Sequence, residues 1–111
     1  MELIDVMVVI PATGNTMGKL AHGINDNVST VAIKTHLKND KPVVIGICTN
    51  DALRGCAESI GKLLNRKNFY FIPFMQDNPI TKPYSLVFNH NLVIKTVELA
   101  LEHEQIQPML V

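Results

Sequence analysis

The fold is decided by an apolar run, Leu3-Ile-Asp-Val-Met-Val-Val-Ile10, and by the polar turn that follows it, Pro11-Ala-Thr-Gly-Asn-Thr16. The run is rich in β-branched residues and hardly alternates with polar ones, which is typical of a strand buried on both faces of a sheet. Residues 17–24 then have the composition of a short helix, with Asn15 or Thr16 as its N-cap. A buried strand that enters a helix through a tight turn is the basic unit of an α/β fold.

The rest of the chain continues this alternation of strands and helices. A second helix is predicted from Val28 to a stop at residues 39–42, and a strand follows over residues 43–48. The next helix is capped by Thr49-Asn-Asp51 and leads to a strand over residues 69–74 that is interrupted at Pro73. A loop over residues 76–84 and a helix over residues 92–101 complete the chain. The predicted order is therefore β-αα-β-α-β-α.

This order predicts the fold class. Strands that alternate with helices imply right-handed crossovers and a parallel sheet with helices on both faces. We therefore predict an α/β fold, a three-layer α/β/α Rossmann-like (flavodoxin-like) parallel sheet, with residues 1–111 as a single domain. Three strands make a small sheet, and a buried first strand needs a neighbour on each side. A preceding βα portion or a partner chain is accordingly expected ahead of Met1.

The composition excludes several classes of protein. Hydrophobic residues make up 47% of the chain, which is enough for a core and argues against disorder. Ten basic and ten acidic side chains balance, so no strong field draws the chain to nucleic acid or to anionic lipid. The first apolar run is too short to span a bilayer, and Met1-Glu-Leu-Ile-Asp5 lacks the basic region of a signal peptide. The expected compartment is the cytoplasm.

No metal site is predicted. Cys48 and Cys56 lack zinc-binding spacing, and we expect two reduced, mostly buried thiols. The four histidines form no pair at a useful helical spacing. The segment that begins at Gly14 is one residue too short for a P-loop, and Leu20 stands where a P-loop carries its magnesium-binding hydroxyl.

Candidate binding residues gather at one edge of the predicted sheet. Ligands of open parallel sheets bind beyond the carboxyl ends of the strands, and the loops at residues 11–16, 49–51 and 75–85 arrive there. Helix N-termini at the same edge add N–H groups that bind anions. Capping and turn formation are the alternative roles for each polar residue in these loops. The polar side chains at this rim are Thr13, Asn15, Thr16, Asn50, Asp51, Asp77, Lys82 and Ser85.

Several strings resemble a known family. Pro11-Ala-Thr-Gly-Asn-Thr16 resembles the P-A-S-A-N-T motif of the homo-oligomeric flavin-containing decarboxylase superfamily, and Lys19-Leu-Ala-His-Gly-Ile-Asn-Asp-Asn27 resembles its continuation, K-x-A-x-G-x-x-D-N. Four later segments are similar to the dipicolinate synthase branch of that superfamily: residues 46–53, residues 68–77, Lys82-Pro-Tyr-Ser85 and Gln105-Ile-Gln-Pro108. Their most specific strings are Thr49-Asn-Asp-Ala-Leu53 and Phe71-Ile-Pro-Phe-Met-Gln-Asp77. The resemblance covers the C-terminal half of a typical member. Cys48-Thr-Asn-Asp51 replaces the decarboxylases' P-x-M-N-x-x-M-W, which argues against cysteine-type decarboxylation.

The resemblance implies a cofactor and assigns residues to it. Family members carry FMN at a subunit interface, with the asparagine motif against the isoalloxazine ring, so Asn15 is the implied catalytic residue. The family's phosphate-binding turn, G-x-T-G-S, is not expected in this chain. The residues assigned to the cofactor are Pro11, Ala12, Thr13, Gly14, Asn15, Thr16 and Asn50, and those assigned to the substrate are Asp51, Lys82 and Ser85.

The resemblance also implies a function. Dipicolinate synthase makes pyridine-2,6-dicarboxylate from a dihydrodipicolinate precursor in the mother cell of a spore former, with a B chain of this type and a nicotinamide-type A chain. A homo-oligomer with an interface site is implied as well. Two alternatives remain open: a truncated, non-catalytic interaction module of the flavoprotein family, and another FMN-dependent, decarboxylase-like member.

Overall fold

The computed structural model describes residues 6–23 and 28–111, with the side chains of the second helix from residue 32 onward. The predicted α/β class is confirmed, since helices cover both faces of one sheet. The elements are β1 (Met7–Ala12), α1 (Gly14–His22), α2 (Val28–Lys38), β2 (Val43–Thr49), α3 (Ala57–Leu64), β3 (Phe69–Phe71), β4 (Phe74–Asn78), β5 (Lys82–Phe88), a 3₁₀ turn (His90–Leu92) and α4 (Val93–Leu101).

The sheet has β2 at its centre and is mixed rather than wholly parallel. β1 pairs with β2 in parallel on one side. The other side of β2 is shared, because its first half pairs in parallel with β3 and its last residues pair antiparallel with β5. β4 pairs antiparallel with β5 and completes the described sheet of five strands, where the sequence predicted three.

The predicted loop over residues 76–84 is wrong, because most of it lies in the β4–β5 hairpin. The side-chain oxygen of Asn78 accepts hydrogen bonds from the backbone N–H groups of Ile80 and Thr81, each at 3.1 Å, and so closes the turn between the two strands. Pro83 lies inside β5, where the sequence pattern indicated a loop. The predicted interruption of the third strand is confirmed, because β3 ends at Phe71 and β4 begins only at Phe74.

The core lies on both faces of the sheet. One face packs against α1, α2 and α3 through fully buried side chains such as Met17, Ile45 and Leu63. The other face is covered by α4, and Val44 and Ala100 are both 0% exposed there. Burial of each large aliphatic side chain stabilises the fold by about 1.5–3 kcal/mol, which explains why the apolar β2 occupies the centre.

The prediction that the first strand is buried on both faces is wrong for the described part. Burial alternates along β1, and Val8 and Ile10 are 40% and 39% exposed. Both belong to the face that α4 only partly covers, where Ile10 approaches Gly46 of β2. The predicted strand residues 3–5 lie outside the described residues.

Three helix boundaries differ from the prediction. α1 begins at Gly14, three residues early, with Thr13 and not Asn15 or Thr16 as its N-cap. It ends at Gly23, whose φ of 70° is a left-handed conformation that glycine adopts without strain. α3 begins at Ala57, so Thr49-Asn-Asp51 does not cap it. No helix in residues 6–23 and 28–111 combines the length and the apolar character that a membrane span requires.

Candidate functional site

The loops that follow β1 and β2 meet at the carboxyl edge of the sheet. β1 ends at Ala12, which is 0% exposed, and the chain turns at Thr13 into the first turn of α1. β2 ends at Thr49 and leads into a turn over residues 50–56 before α3 begins. The two strands are parallel neighbours, so their carboxyl ends lie side by side. We call residues 13–16 and 49–56 the rim.

The turn after β2 is organised around the carboxylate of Asp51. The hydroxyl of Thr49 donates to Asp51 Oδ1 at 2.9 Å, and the thiol of Cys56 donates to the same oxygen at 3.0 Å. The backbone carbonyl of Asp51 accepts from the N–H groups of Arg54 and Cys56, each at 3.0 Å. Four hydrogen bonds therefore converge on one residue and fix the shape of the turn.

Gly14 and Gly55 both lie where a side chain would crowd the turn around Asp51. A Cβ placed on Gly14 would overlap the Sγ of Cys56 and would lie 3.5 Å from Thr49 Oγ1 and 3.7 Å from Asp51 Oδ1. A Cβ on Gly55 would lie 2.7 Å from Asp51 Oδ2, closer than real Cβ contacts. The first turn of α1 thus sits directly on the Asp51 turn because Gly14 has no side chain.

Hydrogen bonding sets the charge state of the rim. The Cys56 thiol and then the Thr49 hydroxyl donate to the carboxylate and lower the pKa of Asp51, so this group is ionised at neutral pH. Burial raises the pKa of the Cys56 thiol, and the adjacent Asp51 carboxylate raises it further. Cys56 accordingly acts as a protonated donor to Asp51 and is poorly suited to be a nucleophile.

The start of α1 adds partial positive charge to the rim. Its first turn contains no acidic residue, and the Thr13 hydroxyl accepts from the N–H of Thr16 at 3.5 Å, a long capping bond. Asp51 lies beside this helix start and supplies from another loop the negative charge that helix N-termini favour. The pairing stabilises the contact between the loops and places an anion where a ligand anion would otherwise bind.

Asn15 differs from the other polar residues of the rim. It is exposed on the first turn of α1, and among the described residues its side-chain amide makes no hydrogen bond to protein. Pro11 is exposed beside it, Ala12 is buried, and Asn50 is exposed on the neighbouring turn. An exposed carboxamide offers both a donor and an acceptor to a ligand.

The third predicted loop reaches the rim only in part. The N–H of Leu53 donates to the carbonyl of Tyr84 at 3.1 Å, and the guanidinium of Arg54 lies 4.1 Å from the centre of the Tyr84 ring. Ser85 is 4% exposed, so it is buried and not open to a ligand at the surface. Lys82 is the first residue of β5, three residues before Ser85 and about 10 Å from it by strand rise. Its Nζ is 3.7 Å from a carboxylate oxygen of Asp77.

Sequence reasoning missed Thr49 and Cys56 as hydrogen-bond partners of Asp51, and it missed that a side chain at Gly55 would crowd the Asp51 carboxylate. The Thr-x-Asp spacing at residues 49–51 is a turn signal that could have indicated the first contact. The expectation that both thiols are mostly buried is wrong, since Cys48 is exposed and Cys56 is half-buried. Within the described ranges, no three His, Cys, Asp or Glu side chains come together as metal ligands would.

Comparison with known proteins assigns the chain to a family. The family model described as Flavoprotein matches residues 1–107. The chain belongs to this family. The B subunit of dipicolinate synthase from Bacillus subtilis (strain 168) is 46% identical over 108 residues, which cover 97% of this chain and 54% of that protein.

Solved structures agree with this assignment. The crystal structure of the dipicolinate synthase B subunit from Bacillus halodurans C matches with a TM-score of 0.95 and 46% identity, over 97% of this chain and 55% of that one. The chain thus spans about half the length of these two relatives. The FMN-dependent cysteine decarboxylase SpaF matches with a TM-score of 0.59 and 22% identity, over 89% of this chain and 52% of that one, and shares the fold.

Proposed function

We propose that this chain acts as a flavoprotein-type B subunit of dipicolinate synthase and contributes to the formation of dipicolinate from a dihydrodipicolinate precursor. The observation that carries the proposal is the exposed Asn15 amide, which follows a parallel strand at the carboxyl edge and has no protein partner among the described residues. The similarity to two dipicolinate synthase B subunits supports the choice of reaction.

The rim fits the ring of a flavin better than its phosphate. An isoalloxazine edge needs amide donors and acceptors, which Asn15 and the backbone of residues 13–16 can offer, and the first turn of α1 carries no bulky side chain at Thr13 or Gly14. A phosphate dianion at the start of α1 would face the ionised Asp51 carboxylate, which lies against Gly14. Bound FMN would supply a two-electron acceptor or donor to the reaction.

The remaining candidate residues, in the rim and on β5, have distinct proposed roles. The hydroxyls of Thr13 and Thr16 hydrogen-bond to each other at 3.4 Å beside Asn15, so one of their two O–H groups is left to donate to the polar edge of the cofactor. The exposed Asn50 could add a second amide. Asp51 holds the two loops in place and would repel a dicarboxylate. Lys82 is the better contact for a substrate carboxylate, because its pairing with Asp77 is solvent-exposed and worth little. Ser85 serves packing.

The proposed partners follow from the same similarity. We place the chain with a nicotinamide-type A chain and in a homo-oligomer that completes the cofactor site, in the cytoplasm of the mother cell of a spore former. Both relatives are B subunits by name, and a B subunit implies a companion, which supports the first of these partners.

The experiment that tests the proposal substitutes Asn15 in the assembled two-subunit enzyme. Asn15→Ser should abolish dipicolinate formation and weaken the flavin absorbance change on FMN addition, because the serine hydroxyl is shorter and is a single group where the carboxamide has a separate donor and acceptor. The melting temperature should stay unchanged, since Asn15 does not cap α1. Asn91→Ser, at an exposed asparagine of the 3₁₀ turn outside the rim, is the matched control and should leave both readouts unchanged. Normal dipicolinate formation by Asn15→Ser would overturn the proposal.

A non-catalytic interaction module is the second candidate. The exposed Val8 and Ile10 on β1 favour it, because they leave an apolar strip that a partner chain could cover. If the wild-type chain binds the nicotinamide-type partner, yet neither binds FMN nor supports dipicolinate formation, the module is the correct function.

A further inference from the structure

A cavity with a basic lip lies at the opposite end of α1 from the rim. It has a volume of about 120 Å³ and opens between the last turn of α1, the middle of α2 and the junction of α3 with β3. The rise of α1 from Gly14 to His22 puts it roughly 12 Å from the rim. We call it the basic cavity, and its lining includes Lys19, Leu20, Ile33, Lys34, Arg66 and Phe69.

The floor of the basic cavity is apolar. Leu20, Ile33 and Phe69 line the cavity, and because they are only 6%, 2% and 6% exposed their side chains are already largely desolvated. A volume of about 120 Å³ is close to that of a cavity of about 150 Å³ that accepts benzene. The floor therefore suits an apolar group of roughly the size of one aromatic ring.

The lip is cationic and one of its charges is held in place. A terminal N–H of Arg66 donates to the carbonyl of Leu20 at 2.9 Å, and the guanidinium lies 5.3 Å from the centre of the Phe69 ring. A guanidinium has five N–H donors, and one of them is committed in this bond. Lys34 on α2 supplies the second charge of the lip that is used here, and Lys19 on α1, which is engaged in an interaction of its own, lies beside it. The described residues that line the cavity include no carboxylate.

We propose that the basic cavity binds a small organic anion, a carboxylate or phosphate group carried on an apolar body of ring size. The apolar body occupies the floor formed by Leu20, Ile33 and Phe69, and the anionic group pairs with Lys34 and Arg66 at the lip. This site is separate from the rim and does not rest on the function proposed there.

Two aromatic anions and two partial ligands test the site. Isothermal titration of the chain at low salt uses phenyl phosphate, benzoate, inorganic phosphate and the neutral benzamide. Phenyl phosphate or benzoate should bind saturably, whereas inorganic phosphate, which lacks the ring, and benzamide, which lacks the charge, should each bind at least about tenfold more weakly. Whichever aromatic anion binds more tightly distinguishes the phosphate from the carboxylate class. Absence of saturable binding by both would overturn the proposal.

A matched pair of charge reversals locates the binding. Lys34 lies on the lip, whereas Lys38 lies one turn further along the same helix and outside the lining. Both side chains are exposed, and each is replaced by glutamate. Lys34→Glu should weaken binding by at least about tenfold, and Lys38→Glu by less than about threefold, since both change the net charge equally. Equal effects of the two substitutions would show attraction by overall charge and would refute a built site.

Discussion

Gly14→Ala tests the contact on which the rim depends. The new Cβ would occupy the position where the Sγ of Cys56 lies and would stand 3.5 Å from Thr49 Oγ1. The thiol cannot turn away without breaking its 3.0 Å bond to Asp51. Either α1 must move away from the turn after β2, or the hydrogen bond must be lost.

The expected cost follows from overpacking against an ordered partner. Inserting a methyl group into a filled contact typically costs about 1–3 kcal/mol. Replacement of a helical glycine by alanine also gains roughly 0.5–1 kcal/mol, which partly offsets that loss. Gly18→Ala in the same helix gains the same amount without the overlap, because its Cβ would have Ser59 Oγ at 3.9 Å as its nearest neighbour. The difference between the two variants therefore isolates the overlap and should be about 1–3 kcal/mol.

Urea unfolding followed by circular dichroism measures this difference, since both variants keep the charge and nearly the size of the chain. Adding Cys56→Ala to Gly14→Ala removes the overlapping sulfur, so the double variant should recover at least about 0.5 kcal/mol relative to the sum of the single changes. If Gly14→Ala proves as stable as Gly18→Ala, the two loops do not pack as described and the reasoning fails.

The remaining predictions concern the cap of α1, the charge at the rim and the C-terminal tail. Thr13→Ala should lower the free energy of unfolding by about 0.5 kcal/mol, the low end for a lost N-cap since its bond is long, and an unchanged urea midpoint would argue against this cap. Because hydrogen bonds lower the pKa of Asp51 below its ordinary 3.8, its stabilising effect is present above that value and is lost as the pH falls through the folded pKa. The melting temperature of Asp51→Asn should therefore fall less than that of the wild type between pH 5 and pH 2. An equal fall in both proteins would contradict this. Gln105→Leu removes hydrogen bonds of 2.8 and 2.7 Å to the backbone of Phe71 and should lower the free energy of unfolding in urea by about 1–3 kcal/mol. Gln107→Leu, at an exposed position, should leave it unchanged. Equal effects of the two substitutions would show that the Gln105 bonds do not stabilise the fold.

The parts of the fold that sequence could predict are those governed by local pattern. β2 is a continuous apolar run that is stable only at the centre of a sheet, and it occupies residues 43–49 against a predicted 43–48. α4 lies within one residue of its predicted start, because its apolar spacing is helical over the full length. In both cases the local preference and the tertiary environment agree.

The errors occur where tertiary contacts decide the outcome. β5 contains Pro83 and a polar first half, and it forms a strand because β4 and the end of β2 both supply partners for its backbone. The turn before α3 has residues suited to a cap, and a helix capped by Thr49-Asn-Asp51 would begin at Ala52. The carbonyl and carboxylate groups of Asp51 instead accept hydrogen bonds within the turn, and α3 begins five residues later, at Ala57. No spacing rule in a single sequence indicates either arrangement.

For the candidate site, too, the sequence indicates the location but not the roles of the residues. The location of the rim could be predicted from the rule that ligands bind at the carboxyl ends of strands, and the loops after β1 and β2 do meet there. The roles within it could not, because Asn is the better N-cap by residue type and yet the backbone path makes Thr13 the cap and leaves Asn15 exposed. The Cys56 contact depends on Gly14 having no side chain, which links residues 42 positions apart in sequence.

The charges of the rim indicate how a ligand with a neutral ring and an anionic group would be oriented. An ionised carboxylate at Asp51 already lies against the start of α1, so the helix N-terminus is not open to a second anion. The exposed amide of Asn15 carries no net charge and accepts the ring edge without this conflict. The anionic group would then point away from Asp51 and toward the β4–β5 hairpin, where Lys82 provides the cation. Under the function proposed above, Asp51 would act on the protein's own loop while Lys82, on the hairpin outside the rim, would act on a substrate carboxylate.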